Sequence, residues 1–376
     1  MKPKLAFVNN KLESIKKQNL YREIRFGHVN GAFINIKNKK LVNFCSNDYL
    51  GIKISDTVSR QMQSSSRLVG GNDISFQILE KKLAKHKSQE ASLIFPTGYM
   101  TNIGVISTII EKNDLILSDE LNHASIIEAC KLTGAKISIY KHNDINDLSS
   151  KLNQHHKRKF VISEGIFSMD GDYANLKEIV EIAEKKDAII ILDDAHGDFT
   201  VGEDGKGTPN HFGVTKKIDL YVSSLSKGLG SFGGYVATQK NIIEFLINRS
   251  KSFIYTSALP SFLVEYSLKK LNSDREKQRK KLWKNVELLS SGLKQIGYDF
   301  DSSTHIIPLI IGNEKTALEF GKYLFKKGVY ALPIRYPTVP KNKARIRISV
   351  TAWLTKKHIE NALKVFELSA KKFGII

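Results

Sequence analysis

From about residue 90 the chain repeats one pattern, a short apolar run followed by a longer stretch with apolar residues at helical spacing. SLIF precedes NIGVISTIIEK, LILS precedes ASIIEACKL, KISIY precedes INDLSSKL, FVIS precedes NLKEIVEIAEKK, and AIIILD is followed later by DLYVSS. Strands that alternate with helices return by crossover rather than by hairpin. They therefore predict one large α/β domain, a mostly parallel sheet covered on both faces. Open sheets of this kind keep their chemistry where the strands end.

After Pro260 the texture changes to a long polar, helix-compatible segment, then HIIPLII, TALEFGKYLFKKG, the alternating RIRISV and a last helix. That order predicts a smaller α+β C-terminal domain. The first 45 residues read as a helix and a two-strand ribbon, FINIKNKKLVNF, so the expected division is 1–45, 46–265 and 266–376. A chain of 376 residues, 41% hydrophobic, can bury such a core. Cys45 and Cys130 lack CxxC spacing, which argues against a disulfide scaffold or thiolate metal site and fits a reducing cytoplasm.

In MKPKLAFVNN the apolar run stops after four residues, too short for a signal peptide, and no stretch approaches the length of a membrane span. The net charge of +20 raises the question of a nucleic-acid or membrane partner. The lysines are scattered as pairs, such as Lys39-Lys40, Lys81-Lys82 and Lys356-Lys357, without interleaved aromatics. That distribution reads as a solvated surface, and HHKRK (155–159) as an exposed connection.

Lys227 sits in SSLSKGLGSFGG (223–234), just after the strand-like DLYVSS. Gly228, Gly230 and Gly233 satisfy GxGxxG, but the following GYVAT reads as a strand and position 253 is Phe, so a dinucleotide site is refused. Ser224 and Lys227 form SxxK with no KTG or SDN to accompany it. AIIILDDAH resembles a Walker B strand, yet no P-loop exists: Gly205-Lys206 is followed by Gly and Gly321-Lys322 by Tyr.

What remains is a lysine and an acid at two strand ends, Lys227 and Asp193. Pyridoxal phosphate requires that pair, a lysine for the Schiff base and a carboxylate to keep the pyridine nitrogen protonated. A surface lysine in a turn is the competing reading. PTGYMTN (96–102) offers a helix N-terminus for a phosphate, with Gly98 permitting close backbone approach. His123 opens another helix, where it can lie on a ring or merely cap. His196 is placed to bond a phenolic oxygen, and Asp193, Asp194 and His196 lack the further ligands a metal needs.

Taken in order, SNDYLG, SRLVGG, FPTGYMTN, DELNHASIIEA, HND, EGIFSMDGD, LDDAHG, SLSKGLGSFGG, YTSALP and RIRISV resemble the α-oxoamine synthase family of fold-type I pyridoxal phosphate enzymes over nearly the whole chain. The resemblance implies a fold-type I aminotransferase-like α/β architecture and an acyltransferase whose catalytic residues are Lys227, His123, Asp193 and His196. Lys227 would carry the cofactor and Asp193 would face its pyridine nitrogen. His196 and Ser168 would contact the phenolic oxygen, and His123 would stack on the ring. Gly98, Tyr99 and Ser224 would bind the phosphate, joined by Thr256 from the second subunit of a homodimer.

Asn47 and Arg347 match the positions that hold an amino-acid carboxylate, a task suited to a bidentate guanidinium. Arg335 in IRYPTVP (334–340) resembles the subgroup that joins L-alanine to a pimeloyl thioester, carried by coenzyme A or an acyl carrier protein. Relatives that use serine, or glycine with acetyl-CoA, are the alternative. The resemblance implies no metal and no nucleic-acid or membrane partner. Three departures bear on acyl-chain entry and packing: Phe76 stands where the family usually has histidine, Ser65-Ser66 replaces the usual glycine-rich lead-in to SRLV, and the segment between Tyr49 and Arg67 is short.

Overall fold

The computed structural model describes residues 13–21, 28–53 and 65–376. The readings made for MKPKLAFVNN and for most of the segment between Tyr49 and Arg67 lie outside the described residues; residues 13–17 are helical.

The expected ribbon is present as three antiparallel strands, β1 (His28–Asn30), β2 (Phe33–Ile36) and β3 (Lys39–Asn43). Lys37 and Asn38 between β2 and β3 both take left-handed φ, 49° and 60°. A two-residue loop of that kind matches the twist of the strands it joins.

The large sheet contains β4 (Ala91–Phe95), β5 (Leu115–Asp119), β6 (Lys136–Tyr140), β7 (Lys159–Glu164), β8 (Ala188–Asp193), β9 (Leu220–Ser224) and β10 (Gly234–Thr238), in the order β4-β10-β9-β8-β7-β5-β6. β5 to β9 run parallel, and β10 is antiparallel to both β9 and β4. β10 is reversed because the loop joining it to β9 holds no helix, so the chain can only turn back on itself. On one face Leu93, Phe95, Ile116, Phe160, Ile162, Ile191, Leu220 and Val222 pack with Val105, Ile106, Ile126 and Leu246 from the covering helices.

Alternation along each strand then fixes what happens at its end. Phe160 and Ile162 are in this core, so Glu164 faces the same side; Ile191 is followed two residues on by Asp193, and Val222 by Ser224. The polar ends are continuations of the apolar face.

The chain divides into two compact units, one of Asn47–Ser168 and Asp172–Lys280, the other of Met1–Ser46, Met169–Gly171 and Lys281–Ile376. This differs from the three segments read from the sequence. β3 pairs in parallel with β12 (Val329–Tyr330), so the ribbon completes a sheet of the C-terminal unit, β1-β2-β3-β12. The long polar segment is two helices, Ser261–Leu271 and Arg275–Ile296.

The same unit holds another sheet, entirely antiparallel, built from β11 (Ile306–Gly312), β13 (Leu332–Ile334) and β14 (Ala344–Ser349) in the order β11-β14-β13. Helices Glu314–Lys326 and Lys356–Phe373 accompany it, the second opened by a capping box between Thr355 and His358. Among the described residues no helix is long and apolar enough to cross a membrane.

Candidate active site

Lys227 follows the last residue of β9 by three positions, and its Nζ lies 2.8 Å from His196 Nε2. His196 is buried, and its Nδ1 is 2.8 Å from the Tyr49 hydroxyl, which donates to Asn47 Oδ1 at 3.0 Å. With its proton given to Asn47, the Tyr49 oxygen accepts from Nδ1–H. Nε2 is then the bare nitrogen, and Lys227 donates to it.

A second chain starts at Asp193, the last residue of β8. Asn102 Nδ2 donates to Asp193 Oδ2 at 2.6 Å and to Ser125 Oγ at 2.9 Å. Ser125 Oγ is 2.7 Å from His123 Nδ1, which also accepts from Ser125 N at 3.2 Å as the cap of helix Ala124–Thr133. Asp193 Oδ1 accepts from Ala195 N at 3.0 Å. Burial lowers the pKa of His123, the Asp193 charge opposes this and the Lys227 charge adds to it, so the ring is neutral near pH 7 with its proton on Nε2.

Glu164 is the β7 residue in register with Asp193. It is buried, Oε1 has no hydrogen-bond partner among the described residues, and burial together with the Asp193 charge pushes its carboxyl well above the usual range despite Lys227. Burial and the neighbouring charge thus favour the protonated form of Glu164.

Beside the same strand ends, Gly98 opens helix Gly98–Ile109, with Thr97 accepting from Met100 N at 3.1 Å. A Cβ on Gly98 would come within 3.2 Å of Ser224 Cβ, and one on Gly234 within 2.6 Å of Gly98 N. The helix start is therefore pressed against β9 and β10 with bare backbone exposed, and Ser224 Oγ and Ser226 Oγ, 2.8 Å apart, stand beside it. These residues fit a phosphate. Tyr99 contributes first-turn backbone while its exposed side chain hydrogen-bonds Glu128.

Ser168 is buried at the head of the SMDGD turn. Thr256 lies outside the two hydrogen-bonded chains, in the loop after helix Lys251–Ile254, where its hydroxyl faces Ser257 O. Arg347 and Arg335 belong to the other unit. Arg347 lies on β14 and donates to Ser349 Oγ at 2.7 Å, and Arg335 donates to the carbonyls of Asn19 and Tyr21. Phe76 is buried beneath the Arg67 guanidinium, 4.2 Å from its ring centroid, and Arg67 also bonds Glu80 at 2.6 Å.

Sequence reasoning missed Tyr49, Asn102, Glu164 and Ser226 as members of the site, although all four stand inside the recognised motifs. It also missed the support below. Asp194 accepts from Tyr221 Oη at 2.7 Å and from Thr208 N at 2.8 Å, while Asp198 pairs with fully buried Lys87 and accepts from Tyr235 Oη at 2.5 Å. Asp193 and Asp194 thus point to different partners and do not gather with His196 around one point. Among the described residues no group of three or more His, Cys, Asp or Glu is arranged to hold a metal.

The aminotransferase class I and II family model matches residues 39–366. The chain belongs to that family. Within it, the chain is 42% identical to the 8-amino-7-oxononanoate synthase of Thermoanaerobacter pseudethanolicus, covering 99% of this chain and 98% of the relative. A serine palmitoyltransferase from S. paucimobilis, solved with bound PLP and myriocin, superposes with a TM-score of 0.90 at 26% identity over 99% of each chain. The 8-amino-7-oxononanoate synthase of Francisella tularensis superposes with a TM-score of 0.74 at 26% identity, covering 88% of this chain and 98% of the other. The architecture is the expected fold-type I aminotransferase-like α/β fold.

Proposed function

We propose that the chain catalyses the decarboxylative condensation of L-alanine with a pimeloyl thioester, releasing carbon dioxide and the thiol and giving 8-amino-7-oxononanoate for biotin biosynthesis. The observation that carries this reading is the Lys227–His196 contact at the end of β9, beside Asp193 at the end of β8, in a chain 42% identical over its length to a synthase of that name.

The cofactor is pyridoxal phosphate, and its chemistry when bound is to accept the electrons left when the alanine α-proton and carboxylate depart. The chain supplies the rest. Lys227 would hold the cofactor through Nζ and is the base placed to take the α-proton, with His196 receiving its hydrogen bond. Asp193, oriented by Asn102, would pair with the pyridine nitrogen. His123, whose Nδ1 accepts from Ser125 N, would stack on the ring. Gly98, Tyr99 and Ser224 hold the phosphate through the helix start, joined by Ser226 beside them and by Thr256 of a second subunit. Ser168 and His196 serve the phenolic oxygen.

The family pattern gives Asn47 and Arg347 the alanine carboxylate and associates Arg335 with the pimeloyl-using subgroup. We read the protein as a cytoplasmic homodimer. Exposed Leu68 and Ile74, which line one cavity, support a covered face, because isolated monomers seldom leave such side chains together in water. Coenzyme A and an acyl carrier protein are both acidic carriers suited to a chain of net charge +20.

The test is turnover by the PLP-loaded protein with pimeloyl-CoA or its carrier-protein ester, comparing alanine, glycine and serine. The 8-amino-7-oxononanoate product should form from alanine alone. Preference for glycine with acetyl-CoA would move the chain to the alternative reading, a ligase forming 2-amino-3-ketobutyrate.

A further inference from the structure

The loops that follow β5, β6 and β7, three adjacent strands of the parallel sheet, meet at a side chain outside the two chains described above. His142 comes two residues after β6. Its Nδ1 lies 3.0 Å from Asp119 Oδ1 at the end of β5, and its Nε2 lies 2.7 Å from Asp172 Oδ2 beyond β7. A neutral imidazole has one N–H, so satisfying both carboxylates takes the protonated ring. Burial works against the charge, but the hydrogen bonds and charges of Asp119 and Asp172 outweigh it and raise His142 to about 10.

The same carboxylates order the backbone around them. Asp119 Oδ1 accepts from Leu121 N at 2.9 Å and Oδ2 from Asn143 N at 3.3 Å. Asp172 Oδ2 accepts from Asn143 Nδ2 at 3.0 Å, and its carbonyl accepts from Phe167 N at 3.0 Å. The Phe167 ring meets His142 edge-on, with centroids 4.4 Å apart. Asp119 therefore starts the loop that ends at His123, and Asp172 closes the turn that carries Ser168.

We propose that His142 is a positioning residue which, by tying Asp119 to Asp172, sets His123 and Ser168 against the cofactor from two strand ends at once. This rests on the proposed function, from which it takes the roles of His123 and Ser168. His142 itself touches neither substrate nor reacting atoms. Glutamine at this position can donate to one carboxylate but presents its oxygen to the other, so H142Q breaks the bridge without emptying the space.

The experiment is a pair of double-mutant cycles on the full chain, H142Q with S168A and H142Q with H123A. Each is read by the PLP dissociation constant from absorbance titration and by the melting temperature of the apoprotein. H142Q should weaken PLP binding roughly tenfold, and combining it with S168A or H123A should cost little beyond the single variants, because all act through one contact set. D172N is the second variant should H142Q fold poorly, and it should behave alike. Unchanged PLP affinity in H142Q or D172N, or effects that multiply in both cycles, would overturn the inference while leaving the proposed function standing. If S168A and H123A both left PLP binding unaltered, the assigned cofactor contacts would fail, and this inference with them.

Discussion

Lys227 and His196 are joined by a 2.8 Å contact whose far side is fixed by Tyr49, 2.8 Å from the other ring nitrogen. The tyrosine hydroxyl selects the tautomer and so keeps an acceptor in front of the lysine amine. Tyr49→Phe removes that selection while leaving the ring in place. The loss of one neutral hydrogen bond, about 1 kcal/mol, should lower kcat roughly fivefold with KM for alanine little changed, and displace the pH profile of kcat. Steady-state kinetics from pH 6 to 9 checks this; a superimposable profile would remove Tyr49 from the site.

Replacing Lys227 by Ala takes away both the cofactor's anchor and the base. Turnover should fall by at least ~10³-fold, and borohydride treatment with PLP should leave no cofactor covalently fixed at position 227 of the variant, whereas the wild type should retain it there. Wild-type turnover in this variant would refute the mechanism.

The neighbours Asp193 and Glu164 should answer differently to the same chemical change. Asp193→Asn abolishes a charge and should slow turnover roughly 10²-fold or more. Glu164→Gln keeps a neutral group of the same shape where burial and the Asp193 charge disfavour a carboxylate, and should stay within about threefold of wild type. Equal losses in the two variants would show that Glu164 is ionised.

Below the site, Lys87 is 3% exposed and neutralises Asp198, whose carboxyl is held well below the usual range by that charge against the opposing effect of burial. Lys87→Met leaves the Asp198 anion buried without its partner. Unfolding stability should drop by about 3–5 kcal/mol, read from denaturant midpoints at constant slope. A loss under about 1 kcal/mol would mean that Asp198 finds another cation.

His142 makes a pH-dependent contribution whose sign follows from its raised value of about 10 against an ordinary 6.5. The folded state holds the proton more tightly than the unfolded chain. The stabilisation is thus complete below pH 6.5 and disappears as pH rises through about 10. The stability gap between wild type and H142Q should shrink with rising pH across that window, by at most about 1.4 kcal/mol per pH unit. Parallel stability curves from pH 6 to 10 would count against the ion pairs.

The strands and helices of the large sheet were legible because each carries its own period. Phe160 and Ile162, or Leu220 and Val222, announce a buried face without reference to any other part of the chain. Lys227 and Asp193 could be singled out for the same reason, since each lies at or just beyond the end of such a run. Asn102 was not, because a helix residue four places past Gly98 gains its meaning only from what the sheet puts opposite it. Lys87 was equally hidden. Read locally it is the last residue of a lysine-rich helix, and only the fold carries it into the interior against Asp198.

β12 has two residues and no period to read, so nothing local told that the N-terminal ribbon would pair with it. The sequence by itself determined the periodicities, the breaks between them and the chemistry available at each strand end, because these depend on neighbours along the chain. The tertiary structure alone decided which ends lie side by side: His196 between Tyr49 and Lys227, Glu164 against Asp193, His142 between Asp119 and Asp172. Those pairings are set by strand order and register, which bring together residues tens to more than a hundred positions apart, and the charge each group carries follows from that company and its burial.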